Sequence, residues 1–222
     1  MGTSADGTAR AECAARAEYE AHVTVRCAEG DLPRLRSWAE DAGLKLTRIV
    51  LARGRMVSQP MLTLRGAESF DGQRRAAEAL AERLGRVGFA SSRVKIEASP
   101  WAPEVPQDDC EAAGLGPGRY FEHHLKLLLD TGDDLEELAA LASRHGAHLS
   151  WNARRVRAAG RHERFVTQRC HGVGARRAGL RLAALRDAVQ VAHHVLSVER
   201  EFVLYDSNPS VDDGWITEGP MP

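Results

Sequence analysis

The sequence is poor in aromatic residues, at 5%. Binding to single-stranded nucleic acid leans on such rings for base stacking, so that role is disfavoured. An excess of either charge is also missing. Thirty Lys and Arg face 31 Asp and Glu, for a formal net charge of -1. That balance gives no pull toward a polyanion or an anionic membrane surface, and nucleic acid is not an expected partner. No apolar run approaches the roughly 20 residues that span a bilayer. The opening residues, MGTSADGTARAECAARAE, hold no apolar signal-peptide core, and Asp6 stands where a myristoylation start needs Ser or Thr. The four cysteines, Cys13, Cys27, Cys110 and Cys170, form no C-x-x-C pair. Their spacing indicates neither a disulfide framework nor a zinc site. Together these absences point to a reduced, cytoplasmic protein without a membrane association.

What is present is ordinary globular material, 43% hydrophobic and 27% charged, and enough to build a core. It is arranged twice. Tyr19-Glu-Ala-His-Val-Thr-Val25 matches Phe121-Glu-His-His-Leu-Lys-Leu127 at an offset of about 103 residues, Met61-Leu-Thr-Leu-Arg65 matches Phe165-Val-Thr-Gln-Arg169, and Gly43 matches Gly146.

In the first copy, period-two alternation predicts strands over 19–27, 44–52 and 57–65, and Val94 and Ile96 belong to a fourth. Helical spacing predicts a helix over 32–42 capped by Asp31, and another over 70–87. Gly43 is placed to end the first helix. The second copy predicts strands 119–129, 147–153, 163–170 and 200–206. Its helices run from a capping box at Asp133 and Glu136 to His145, and over 176–196.

This order is the split β-α-β pattern of a ferredoxin-like unit, written twice in an α+β chain. The divisions are a flexible N-terminus at 1–18, a first repeat at 19–98, a Pro- and Gly-rich linker at 99–118, a second repeat at 119–207, and a tail at 208–222 in which Trp215 and Ile216 should dock. The two sheets lie either side by side or face to face, the latter as a pseudo-symmetric α+β barrel.

Splitting the strands by face gives the candidate site. On the first strand of each copy, Glu20, His22 and Thr24, and Glu122, His124 and Lys126, point away from the helices. On the third strand, Thr63 and Arg65, and Thr167 and Arg169, take the same open face, which turns Gln168 toward the helices against its polarity. The first and third strands are central neighbours in a ferredoxin-like sheet, so Glu, His, Thr and Arg come within reach of one another in each copy.

Histidine suits proton transfer near neutral pH, with Glu20 or Glu122 to orient it. Arg65, Arg169 and Lys126 suit a carboxylate or phosphate, and Thr24, Thr63 and Thr167 offer hydroxyls. The set therefore predicts a small anionic metabolite as ligand, with either acid–base catalysis or plain binding. A solvated polar sheet face, or a non-catalytic assembly module, is the competing explanation, and a homo-oligomer is compatible with both.

His22-Val23-Thr24 resembles the His-x-Thr motif of the 2H phosphoesterases, whose two related α+β lobes each carry one such motif. That resemblance implies a cyclic-phosphate or nucleotide substrate, with one histidine as base and one as acid. The second copy departs from it, since Lys126 replaces the threonine in His124-Leu125-Lys126.

No cofactor is predicted. A divalent metal remains an alternative only if the sheets face each other, bringing together Glu20, His22, Glu122, His124 and His123. His193 and His194 read as helix-surface residues. The Arg-rich connection 154–164 reads as a solvated basic hairpin, and Gly114-Leu-Gly-Pro-Gly118 as linker and not a phosphate loop.

Overall fold

Alternation along the strands governs where every charge ends up. The structure, a computed structural model, describes residues 18–67, 69–152 and 161–215. Its first half runs β1 (Tyr19–Val25), α1 (Leu32–Asp41), β2 (Lys45–Leu51), β3 (Ser58–Arg65), α2 (Phe70–Arg86) and β4 (Ser91–Ala98). A short helix, α3 (Asp109–Ala113), lies in the connection. The second half runs β5 (Tyr120–Leu129), α4 (Leu135–Arg144), β6 (Ala147–Asn152), β7 (His162–His171), α5 (Ala175–Gln190) and β8 (His194–Asp206). The two halves thus share the ferredoxin-like element order. No helix among the described residues is long and apolar enough to cross a membrane.

The strands close into one antiparallel barrel in the order β1-β3-β2-β6-β7-β5-β8-β4. Each half supplies four adjacent strands. The seams are β2 with β6, where Ile49–Leu51 pair with Asn152–Ser150, and β4 with β8, where Lys95–Ala98 pair with Asp206–Phe202. Closure settles the alternative left by the sequence: the two open faces become one interior. An eight-stranded barrel is just wide enough for side chains to fill it.

The apolar alternates point outward. Ala21, Val23, Leu62, Val94 and Ile96 pack under α1 and α2 with Leu35, Leu80 and Leu84. Leu125, Leu127, Leu149 and Val166 pack under α4 and α5 with Leu138, Leu182 and Leu185. A third cluster joins Tyr19, Phe121 and Phe202 to Ala102 and Val105 of the connecting segment 99–118. Gln168 does face the helices, as its register requires. Its Nε2 donates to the carbonyls of His145 at 2.8 Å and Arg181 at 3.4 Å, so a buried amide ties β7 to both helices.

Several expected boundaries move. Asp31 occupies the N-cap of α1 but its side chain caps nothing there, and it pairs with Arg34 at 3.5 Å. The cap of α4 is Asp134, whose carboxylate accepts from the Glu136 and Glu137 amides. Asp133 instead accepts from the Asp130 amide. Gly43 and Gly146 end their helices as expected, with φ of 66° and 63°.

Helix α5 stops at Gln190, and β8 begins at His194 in place of residue 200, because Val195 and Val198 pair along β5. His193 and His194 therefore lie beyond the helix. The expected flexible N-terminus falls outside the described residues, apart from Glu18. Ile216 and most of the Arg-rich connection 154–164 fall outside them too.

The tail docks. A 3-10 turn at Pro209–Asp212 carries Asp212 into the barrel and sets Trp215, 5% exposed, against its end. The indole Nε1 donates to the Leu149 carbonyl at 2.9 Å. Trp215→Ala should therefore cost about 3 kcal/mol in chemical denaturation, while Trp215→Phe, which keeps a ring and loses the donor, should cost about 1.

Candidate functional site

Two matching constellations face the barrel interior. In the first half, β1 and β3 pair so that Glu20 lies opposite Arg65 and His22 opposite Thr63. The second half repeats this with Glu122 opposite Arg169 and His124 opposite Thr167. His22 Nδ1 lies 3.2 Å from Thr63 Oγ1, and His124 Nδ1 lies 2.9 Å from Thr167 Oγ1.

The outer neighbours add a glutamate each. His22 Nε2 lies 3.0 Å from Glu97 of β4, and His124 Nε2 lies 3.4 Å from Glu201 of β8. Since each Nε2 faces a carboxylate, it carries a hydrogen in either charge state. The threonine hydroxyl can donate to Nδ1 of a neutral ring or accept from a charged one, so its rotation follows the histidine through a proton change.

A chain of alternating charges links the two constellations. Lys95 Nζ lies 2.6 Å from Glu97 and 3.0 Å from Glu122. Arg169 then reaches Glu122 at 3.1 Å and Asp212 at 2.7 Å, and Arg93 holds Asp212 at 2.8 Å and grips Asp206 with two nitrogens. Gln59 donates to the other Asp212 oxygen. Lys95, Glu97, Glu122, Arg93 and Asp212 are all buried.

In this cluster Glu20, Glu97, Glu122, Glu201, Asp206 and Asp212 face Arg65, Lys95, Arg93 and Arg169. Six carboxylates outnumber four fixed cations, so the cluster carries an excess of negative charge.

The ionisations follow. Burial alone would raise the Glu122 carboxyl, but Arg169 and Lys95 hold it well below the usual range. Burial works against Lys95 as well, and Glu122 and Glu97 keep it charged. His124 is raised despite burial by its hydrogen bond to Glu201 and by Glu122. Glu201 is raised by burial and by Glu97. This pair is thus set to share one proton.

Glu20, His22, Thr63 and Arg65 meet as expected, and so do Glu122, His124, Thr167 and Arg169. Two expected members do not join them. Lys126 turns to Glu163, 2.9 Å away and further along the barrel, because its strand carries it past the histidine. Thr24 is buried opposite Met61 and Arg93, one alternation beyond His22. His123 faces outward near the Phe121 ring, where burial and then Arg200 push it down to about 4.

Glu97, Lys95, Arg93, Glu201 and Asp212 went unforeseen. The alternation Arg93-Val-Lys-Ile-Glu97 was there to be seen, and so was the match of Glu97 to Glu201 at nearly the repeat offset.

Glu97, Glu122 and His124 place one donor atom each within 4.8 Å of one another, as a metal would require. Lys95 already stands between the two carboxylates, so the donor set does not fit an added ion while that ammonium stays charged.

No protein-family model matches the sequence, and no curated protein matches it. Among solved structures, the chain is similar to a protein assigned as a chlorite dismutase, at 13% identity over 84% of this chain and 93% of that one, with a TM-score of 0.28. It is also similar to chlorite dismutase from Candidatus Nitrospira defluvii in complex with imidazole, at 14% identity over 84% and 90%, with a TM-score of 0.29.

Two outcomes test the network. Lys95→Met leaves Glu97 and Glu122 facing each other without their cation, and should cost about 3–5 kcal/mol in urea unfolding.

Stability should also depend on pH from both sides. Glu122 and Asp212, held low, stabilise above the ordinary carboxylate range, and this is lost as pH falls through their folded values. His123 and His148, buried and pushed down to about 4, add to the acid loss because the unfolded chain takes up protons that they refuse. His124 is raised, so its contribution is complete in acid and lost as pH rises through its folded value. Glu201, also raised, acts in the same direction. Tm should peak between about pH 5 and 8. In a Tm-against-pH series, His124→Gln should flatten the alkaline limb, and an unchanged limb would refute the assignment.

Proposed function

We propose that one mouth of the barrel binds a small organic cation, an amine or a guanidine, and exchanges a proton with it through Glu201, which His124 orients. The observation that carries this is a cavity of about 550 Å³ lined by five glutamates, Glu18, Glu20, Glu97, Glu199 and Glu201, against two arginines, Arg65 and Arg200. Arg65 is already held by Glu20 at 2.6 Å. Trp101, 55% exposed, stands on the rim, and an aromatic face beside carboxylates suits an alkylammonium.

This reverses the ligand charge expected from the sequence. The arginines proposed to hold an anion are occupied, Arg65 by Glu20 and Arg169 by Glu122 and Asp212. A carboxylate or phosphate in this mouth would face five glutamates against two arginines.

The chemistry that follows is general acid–base work. A bound ammonium would pass a proton to the Glu201 carboxylate, leaving a nucleophilic amine and a protonated acid. His124, whose Nε2–H points at Glu201, orients that carboxylate, and the Thr167 hydroxyl at Nδ1 rotates with the charge on the ring. Histidine paired with a carboxylate of raised pKa is the combination such transfer needs. The matched constellations in the two halves support an internal duplication, with the second half reaching the mouth through Glu199, Arg200 and Glu201 of β8. The choice between turnover and binding of a small molecule rests on this proton.

A 2H-like phosphodiesterase is favoured less. Both Nε2 atoms face carboxylates that would repel a phosphate, and the threonine at each histidine comes from β3 or β7 and not from the His-x-Thr stretch itself.

Calorimetry with matched alkylamines, alkylguanidines and carboxylates decides the sign. The cations should bind, and Glu201→Gln should weaken them about tenfold, or about 1.4 kcal/mol. Binding of carboxylates with no response to amines would overturn the proposal.

A further inference from the structure

A second cavity, of about 390 Å³, lies at the other end of the same strands. The glutamate-lined mouth sits at the start of β1 and the ends of β3 and β4. This one sits just past the end of β1 and at the starts of β3 and β4, with the C-terminal turn as its far wall. Its chemistry is the opposite. Arg26 and Arg55 line it together with Ser58, Ser92, Asn208 and Ser210. Among the described residues lining it, none is Asp or Glu.

We infer that this cavity is a binding site for a small phosphate-bearing anion, separate from the glutamate mouth. Two guanidinium groups sharing a cavity wall repel each other, and a dianion between them removes that repulsion. Arginine forks also match phosphate oxygens two at a time.

One hydroxyl, that of Ser58, is set to donate, while Ser92 donates to the Thr24 carbonyl and Ser210 to Asn208. Ser58 Oγ accepts from Arg48 Nε at 3.0 Å, which leaves its own hydrogen to donate. Arg48 is anchored in turn by both oxygens of Glu29, at 2.9 and 2.7 Å, so it fixes Ser58 and does not compete for the ligand. Ser210 is held between Arg55, 3.3 Å away, and Asn208 Oδ1, to which it donates at 2.7 Å. Asn208 is fixed by donating to the Ser92 carbonyl. One wall of the site is therefore rigid.

Cys27 also lines the cavity, but burial and Asp31 raise its thiol, so it serves as wall and not as nucleophile. The volume accommodates a phosphate with a small organic substituent.

An anion here would bind the β1 end, the β2–β3 turn and the C-terminal turn to one another. Arg55 reaches Asp213 at 3.7 Å, and its backbone amide donates to the Asp213 carbonyl at 2.7 Å. The same turn delivers Asp212 to Arg93 and Arg169. A ligand at this end thus presses on the charge chain that reaches the histidines.

The test uses the full chain and inorganic phosphate, with acetate and chloride at the same ionic strength. At about a hundredfold excess over Kd, phosphate should raise Tm by about 5–10 °C, and the other two salts should not. Arg26→Ala is the decisive variant, since Arg26 is exposed and changing it leaves the tail contacts of Arg55 in place. It should fold with the wild-type Tm in chloride and bind phosphate at least tenfold more weakly. Glu201→Gln, at the far mouth, should keep the full phosphate response whatever it does to amines. Equal shifts with chloride, or an undiminished phosphate shift in Arg26→Ala, would overturn the inference.

Discussion

The ammonium of Lys95 stands between Glu97 and Glu122, and the barrel interior depends on it. Those carboxylates belong to different halves of the chain, one on β4 and one on β5. Each also faces a histidine. Removing water from two such anions is costly unless a cation replaces its hydration, and a single lysine does so for both. From this point the alternation of charge runs outward to Arg169, Asp212 and Arg93. The apolar packing lies outside, under the helices, and the polar order lies inside.

This inversion gives the barrel two chemically different ends. One end opens between glutamates that exceed their cations, beside the proton-sharing pair His124 and Glu201. The other ends in arginines and hydroxyls beside the C-terminal turn. A scaffold of this kind holds its interior groups in place through ion pairs, so a change at one end is felt through charge and not through packing. The same pairing explains why a donor set that resembles a metal site is filled by a side chain of the protein itself.

Much of the architecture was legible from periodicity. Tyr19–Val25 and its counterpart at Phe121 showed the strands, their faces and the Glu-x-His repeat, and Gly43 and Gly146 marked two helix ends. The meeting of His22 with Thr63, and of His124 with Thr167, followed from the neighbouring positions of the first and third strands. Barrel closure was not legible, because the seams Ile49–Asn152 and Lys95–Asp206 pair residues with no local signal between them. Without closure, Lys95 and Arg93 looked like ordinary polar alternates on an outer strand, and the sign of the mouth could not be added up. The extent of β8 was obscured because residues 191–199 carry as much helical as strand character, and pairing to β5 decides between them. The N-cap of α4 shifted by one residue because three aspartates, Asp130, Asp133 and Asp134, compete for one helix start.

Asp212 follows all eight strands in the chain, yet Arg93 and Arg169 both turn to it. During synthesis the barrel strands would emerge and pair while Arg93 and Arg169 still lacked this partner. The last turn then acts as a latch whose contacts are among the most distant in sequence that the fold contains. Such closure comes late and slowly, because a long loop must be ordered before any of its contacts form. A nascent or partly opened form of this protein would carry an unlatched basic interior at that end, distinct in charge from the finished molecule.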